Sequence, residues 1–312
     1  MFHKNVYLWV YGVLLATGSA LLFLGSPDYY LSRSFRYFWD IGHIAYFALL
    51  AGLLSRWRFV ACRSLAGQWA IILAITLIVG ISIELMQYGT ARVPDSGDVF
   101  RDLTGSLLVL VFSPLGSALQ SARWRFSLQA VVLLLLLAQL WPLTRSLVDE
   151  AIARQQFPLL SDLETPFEID RWKGNARLSV KSVPSISPGK LLKLSLTTDL
   201  YSGATLSYFD GDWTSLRTLK ISLYNPGETP LQITCRIHDL RHVDGHEEYE
   251  DRFNDNFHLT QGWNSIEIDL DEVEASPANR SMDMSRIHGL GLFVVSLPAP
   301  RILYLDNVQL SP

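Results

Sequence analysis

Asp40 and His43 stand three residues apart at the head of one apolar run, and Glu84 and Gln87 repeat that spacing near the end of another. On a helix, positions i and i+3 share a face, so each pair presents its polar groups together. An imidazole beside a carboxylate can give or take a proton near neutral pH. The loop after the second pair, 88–102, carries Arg92, Asp95 and Asp98, and a guanidinium there suits a phosphate. A carboxylate this deep in a hydrocarbon segment is costly, so it usually has a partner and often a function. The same groups also serve as hydrogen-bond glue between helices, about 0.6–2 kcal/mol per contact. A second cluster is the stretch 238–256, HDLRHVDGHEEYEDRFNDN. Its oxygen donors suit Ca²⁺ and its histidines with carboxylates suit Zn²⁺, although the spacing matches no defined metal loop. The alternative is a solvated acidic loop. Asp239 and Asp306 are the candidate metal ligands, and a structural Ca²⁺ is the one cofactor these donors suggest.

The elements that must position these residues fall into two unlike halves. Residues 1–149 hold 11 Lys and Arg against 7 Asp and Glu, and the rest of the chain holds 15 against 23, a net charge of −8. Apolar runs at 6–24, 40–54, 68–86, 103–119 and 127–143 approach the roughly 20 helical residues that cross a bilayer, so five spans are expected. The first reads as an uncleaved signal anchor, because no small-x-small cleavage site follows it. Arg56, Arg58 and Arg63 mark one cytoplasmic loop, and Arg123 and Arg125 another. That topology places the N-terminus inside a bacterial cytoplasmic membrane and the acidic half outside it. Asp40, His43, Glu84, Gln87, Arg92 and Asp98 then gather at the outer face. Cys62 and Cys235 fall on opposite sides and imply no disulfide framework.

The second half reads as strands at 176–182, 191–198, 204–209, 218–224, 231–239, 264–269, 289–295 and 301–310, separated by turns such as Ser187-Pro188-Gly189 and Asn225-Pro226-Gly227. The expected fold is therefore a membrane all-α domain, 1–148, a linker, 149–166, and an extracytoplasmic all-β jelly-roll sandwich, 167–312. Trp213 and Trp263 sit beside strands, where a core role suits them. Tyr249, in the acidic stretch, suits the surface. Trp213, Tyr249 and Arg252 are the candidate ligand contacts.

The pattern Asp40-x-x-His43-x-x-Tyr46-Phe47-x-Leu49, then Glu84-x-x-Gln87, Arg92 with Asp98, and Asp102-Leu103-Thr104-Gly105, resembles the VanZ-like family, named for a protein linked to teicoplanin resistance. The resemblance covers about the first 120 residues and implies a multi-pass envelope protein linked to glycopeptide resistance. Ile41 and Thr104 depart from the family's usual Lys and Asn. The second half resembles carbohydrate-binding modules of the galactose-binding-like jelly-roll type. The residues that carry this are Asp212-Trp213, Ile237-His238-Asp239, Arg252-Phe253, Gly262-Trp263-Asn264 and the closing Leu303-Tyr304-Leu305-Asp306-Asn307-Val308. That resemblance implies binding of a cell-wall or other envelope glycan, with membrane lipid as the partner of the first half.

Three functions follow from these readings. One is a non-enzymatic envelope protein that binds glycan outside the membrane and serves envelope or exopolysaccharide metabolism. Another is a membrane-interface enzyme acting on a lipid-linked substrate. The third is an ion or proton path, against which five short spans without an internal repeat speak. The acidic half excludes a nucleic-acid partner, since it would repel a phosphate backbone.

Overall fold

The computed structural model describes residues 2–24, 32–88, 96–119, 121–245 and 247–312. The chain forms two compact units, Met1–Thr144 and Arg145–Pro312.

The first unit is helical: α1 (Phe2–Leu24), α2 (Arg33–Leu54), α3 (Arg58–Ala61), α4 (Leu65–Tyr88), α5 (Ser96–Phe112), α6 (Pro114–Ser117) and α7 (Ala122–Gln156), the last running on into the second unit. Ser32 caps α2 by accepting a hydrogen bond from the Phe35 amide at 3.3 Å. The helix therefore starts earlier than the apolar run does. Asp40 and His43 lie about two to three turns inside it, not at its head. α5 opens with Asp98, Arg101 and Asp102 before its apolar part. The expected span at 103–119 stops at Phe112, where Ser113 caps the Leu115 amide and Pro114 begins α6.

Helices α2, α4 and α7 are long and apolar enough to cross a membrane. The described apolar stretch of α1, Trp9–Leu22, is shorter. α5 has 17 residues, about 26 Å at 1.5 Å per residue, against a hydrocarbon core of about 30 Å. Of the five expected spans, three meet the length and hydropathy of a crossing helix among the described residues. α2 packs most extensively on α5. Gly105 allows this approach, because a Cβ there would sit 2.2 Å from the Ile44 carbonyl oxygen. Thr76 and Ser106 share a buried hydrogen bond of 2.6 Å that ties α4 to α5.

The second unit is an antiparallel sandwich of eleven described strands. β1 (Leu159–Ser161), β2 (Trp172–Gly174), β3 (Arg177–Ser182), β4 (Lys190–Leu196), β5 (Tyr201–Leu206), β6 (Thr218–Asn225) and β7 (Leu231–Asp239) precede a short helix, α8 (Leu240–Asp244). β8 (Phe253–Leu259), β9 (Gly262–Asp269), the helix α9 (Leu270–Ala275), β10 (Ile287–Val295) and β11 (Arg301–Ser311) complete it. One sheet runs β3-β4-β11-β6-β9 with β1 on β11, and the other runs β2-β5-β10-β7-β8. Most successive strands switch sheets, the connectivity of a jelly roll. Alternate residues face inward, so Leu192, Leu194 and Leu196 of β4 and Ile233, Cys235 and Ile237 of β7 share one apolar core. Burial raises the Cys235 thiol far above its ordinary pKa and leaves it an inert packing group.

Two expectations need correction here. Residues 149–166 are not a linker: they hold the last turns of α7, then β1 and the turn after it. Asp149 is buried and receives the Arg171 side chain through Nε at 3.0 Å and Nη2 at 2.9 Å. The stretch 238–256 is not one acidic loop either, since it contains α8, a 3₁₀ turn at Tyr249–Asp251 and the start of β8.

Candidate functional site

Two sites emerge, one in each unit. In the first unit, His43 Nδ1 donates to Asp102 Oδ1 at 2.9 Å, and both residues are buried. His43 Nε2 faces Asp98 Oδ2 at 3.7 Å, longer than a hydrogen bond. Arg101 pairs with Asp98 and lies 3.8 Å from Asp40 Oδ2. Glu84 is buried and near enough for its charge to act on His43. Gln87 donates to the Leu22 carbonyl at 3.0 Å. Gly80 makes room for this network: a Cβ there would meet Asp102 Oδ2 at 2.4 Å.

Asp40, His43 and Asp98 thus join one network, with Glu84 close by, whereas Gln87 turns to α1. Arg92 lies outside the described residues. Arg101 is the partner that sequence reasoning missed, and Asp102, part of the VanZ-like pattern, was not among the candidate site residues. A hydrogen-bonded imidazole and carboxylate among further carboxylates and a guanidinium can hold an anionic group or relay a proton.

The second site is a groove of about 1140 Å³ over the outer face of the β2-β5-β10-β7-β8 sheet. On β7 the inward residues Leu231, Ile233, Cys235 and Ile237 fill the core, so Gln232, Thr234 and Arg236 are left to line the groove. Gly291 of β10 keeps the floor low, since a Cβ there would lie 3.3 Å from Thr205 Oγ1 and 3.4 Å from Arg236 Nε. Tyr201 and Tyr249 stand at the groove with more than half of their surface exposed. Arg252 lies 5.3 Å from the centre of the Tyr249 ring. Among the earlier candidates, Tyr249 and Arg252 line the groove. The alternation Gln232-x-Thr234-x-Arg236 was the signal that could have disclosed the rest.

Beside the groove, His238 packs under the position of Gly289, where a Cβ would meet its ring at 2.4 Å. Burial, then the neighbouring Arg236, His242, His288 and Arg252, pushes His238 down to about 3, so it is neutral in the folded protein.

The other candidates lie elsewhere. Trp213 is completely buried, and its indole donates to the Asp210 carbonyl at 3.0 Å, so it cannot stack on a ligand. Trp263 is not a core residue: it is 44% exposed and packs edge-on against Tyr224. Asp239 is buried and taken up by Arg280 and by the amides of His242, at 3.0 Å, and Asp283, at 2.7 Å. Burial raises its carboxyl, but these donors outweigh that and hold it below the ordinary range. Asp306 accepts from Ser187 at 3.3 Å, and burial together with the charges of Glu164 and Asp162 raises its pKa. Among the described residues, Asp239 and Asp306 share no partner. Among the described residues, no group of three or more His, Cys, Asp or Glu is placed to hold a metal ion.

No family model matches the chain. No curated protein matches it either. Among solved structures, the β-half is similar to a family 11 carbohydrate-binding module from Clostridium thermocellum in complex with a β-1,3-1,4-mixed-linked tetrasaccharide. The identity is 20%, the match covers 49% of this chain and 94% of the module, and the TM-score is 0.38. An exo-β-agarase gives 18% identity over 49% of this chain and 25% of its own, with a TM-score of 0.39. A carbohydrate-binding module specific for non-crystalline cellulose gives 9% identity over 48% and 93%, with a TM-score of 0.36. The chain is a helical half with, among the described residues, three helices fit to cross a membrane, followed by an antiparallel β sandwich.

Proposed function

We propose that this chain is a membrane-anchored glycan-binding protein of the bacterial cell envelope, with its β-unit outside the cytoplasmic membrane. The observation that carries the reading is the groove over the outer sheet. It combines exposed tyrosine rings, which stack on sugar faces, with Gln232, Thr234 and Asn256, whose side chains hydrogen-bond hydroxyls. The apolar helices supply the anchor and membrane lipid is their partner. The test is a glycan array probed with the full chain in detergent, beside Tyr249→Ala. Specific binding lost in the variant supports the reading, and no binding to any envelope polysaccharide overturns it.

A second reading rests on the first unit. The buried His43–Asp102 contact, with Asp98, Arg101 and Asp40 around it, favours a membrane-interface site acting on a lipid-linked envelope substrate. The VanZ-like pattern and a part in glycopeptide resistance belong to this reading. A structural Ca²⁺ at Asp306 is tested by whether calcium raises the unfolding temperature of the wild type but not of Asp306→Asn.

A further inference from the structure

The second unit is acidic, yet among the described residues its groove is lined by three arginines, Arg236, Arg252 and Arg301, and by no Asp or Glu. Elsewhere in the unit a half-buried or buried arginine has a carboxylate. Arg171 has Asp149, Arg280 has Asp239 and Asp251, and Arg145 has Asp170. Arg301 is held by neutral acceptors, the Thr229 hydroxyl at 2.9 Å and its carbonyl at 2.8 Å. Arg236 and Arg252 reach no carboxylate within ion-pair distance among the described residues, and the Nε of each is buried without a hydrogen-bond partner. Burial, and for Arg236 also the charge of Arg252, pushes both guanidinium groups down from their ordinary pKa; Glu247 acts on them only at longer range. Two like charges half out of water without a counter-ion are costly unless an anion arrives to satisfy them. Guanidinium groups fit carboxylate and sulfate through paired hydrogen bonds.

We infer that the groove takes an acidic oligosaccharide, one carrying carboxylate or sulfate groups, and that Arg236 and Arg252 hold those groups. This rests on the glycan-binding reading and adds the class of glycan.

The test measures binding of the full chain in non-ionic detergent by calorimetry. The probes are oligomers of galacturonate and mannuronate with their uncharged methyl esters, chondroitin sulfate oligomers with counterparts both desulfated and methyl-esterified, neutral gluco-oligosaccharides, and polyglutamate as an acidic chain without sugar. At least one acidic oligosaccharide should bind about tenfold or more tighter than its uncharged counterpart and weaken steeply between about 0.05 M and about 0.5 M salt. Arg236→Gln and Arg252→Gln should each remove that preference, while Arg236→Lys should keep part of it. Unchanged unfolding temperatures exclude misfolding as the cause. If neutral oligosaccharides bind as well as acidic ones, the inference falls and the glycan reading stands. Equal binding of polyglutamate also overturns it, because charge alone would then suffice. Binding of no saccharide removes both.

Discussion

His43 and Asp102 show what one hydrogen bond decides. With Nδ1 engaged by Asp102 at 2.9 Å, Nε2 is the ring nitrogen that can exchange a proton, and Asp98 stands 3.7 Å from it. If this network is a working site, Asp102→Asn should lower function about a hundredfold while leaving expression and detergent stability near wild type, because the amide keeps the shape but not the charge. Glu84→Gln should give the same phenotype, without further loss in the double mutant. Full function in both variants, read as glycopeptide resistance or envelope-stress tolerance, would leave the network as interhelical glue. His238 permits a second prediction. Its pKa in the folded protein is about 3 against an ordinary value of 6.5, so the unfolded chain binds the extra proton between those values. Stability contributed by the neutral ring is intact above 6.5 and declines as pH falls towards 3, by up to about 1.4 kcal/mol per pH unit. Thermal unfolding of the β-unit between pH 7 and 4 should show this slope, and His238→Gln should flatten it.

At the scale of elements, legibility followed the strength of the apolar pattern. β4, β6 and β7 alternate Leu, Ile and polar residues and could be read directly, as could the runs that became α2, α4 and α7. β8, with the sequence FNDNFHL, could not: it is an edge strand, and four of its inner positions carry Asn, Asp or His that face solvent or the groove rim. β1 and β2 are too short, at three residues each, to carry any period. The contact of Asp102 with His43 was hidden differently. Asp102 sits 59 residues from His43, and no local spacing announces a contact made by two helices packing across Gly105. The groove was half legible: Tyr249 and Arg252 stood out in a polar stretch, while Arg236 was concealed inside a strand whose other residues build the core.

For the whole molecule, the composition change near residue 149 marks a real transition, but the second unit begins earlier, at Arg145. Arg171 is 1% exposed and depends on Asp149. A fragment from Arg145 onward should therefore fold alone, with strand-type circular dichroism and a cooperative melt. One from Phe157 onward leaves Arg171 as an unpaired buried charge and should be about 3–5 kcal/mol less stable by denaturant titration. Equal stability of the two fragments would show that the ion pair contributes nothing. The glycines around Asp102 carry a different consequence. Gly80 and Gly105 each lack room for a methyl group, one against Asp102 itself and the other against the Ile44 carbonyl. In saturation mutagenesis both positions will look as intolerant as a proton-transfer residue while touching no ligand. Only the abundance of each variant separates them: a blocked helix contact should lower it, whereas Asp102→Asn should keep it and, if the network is a working site, lose function.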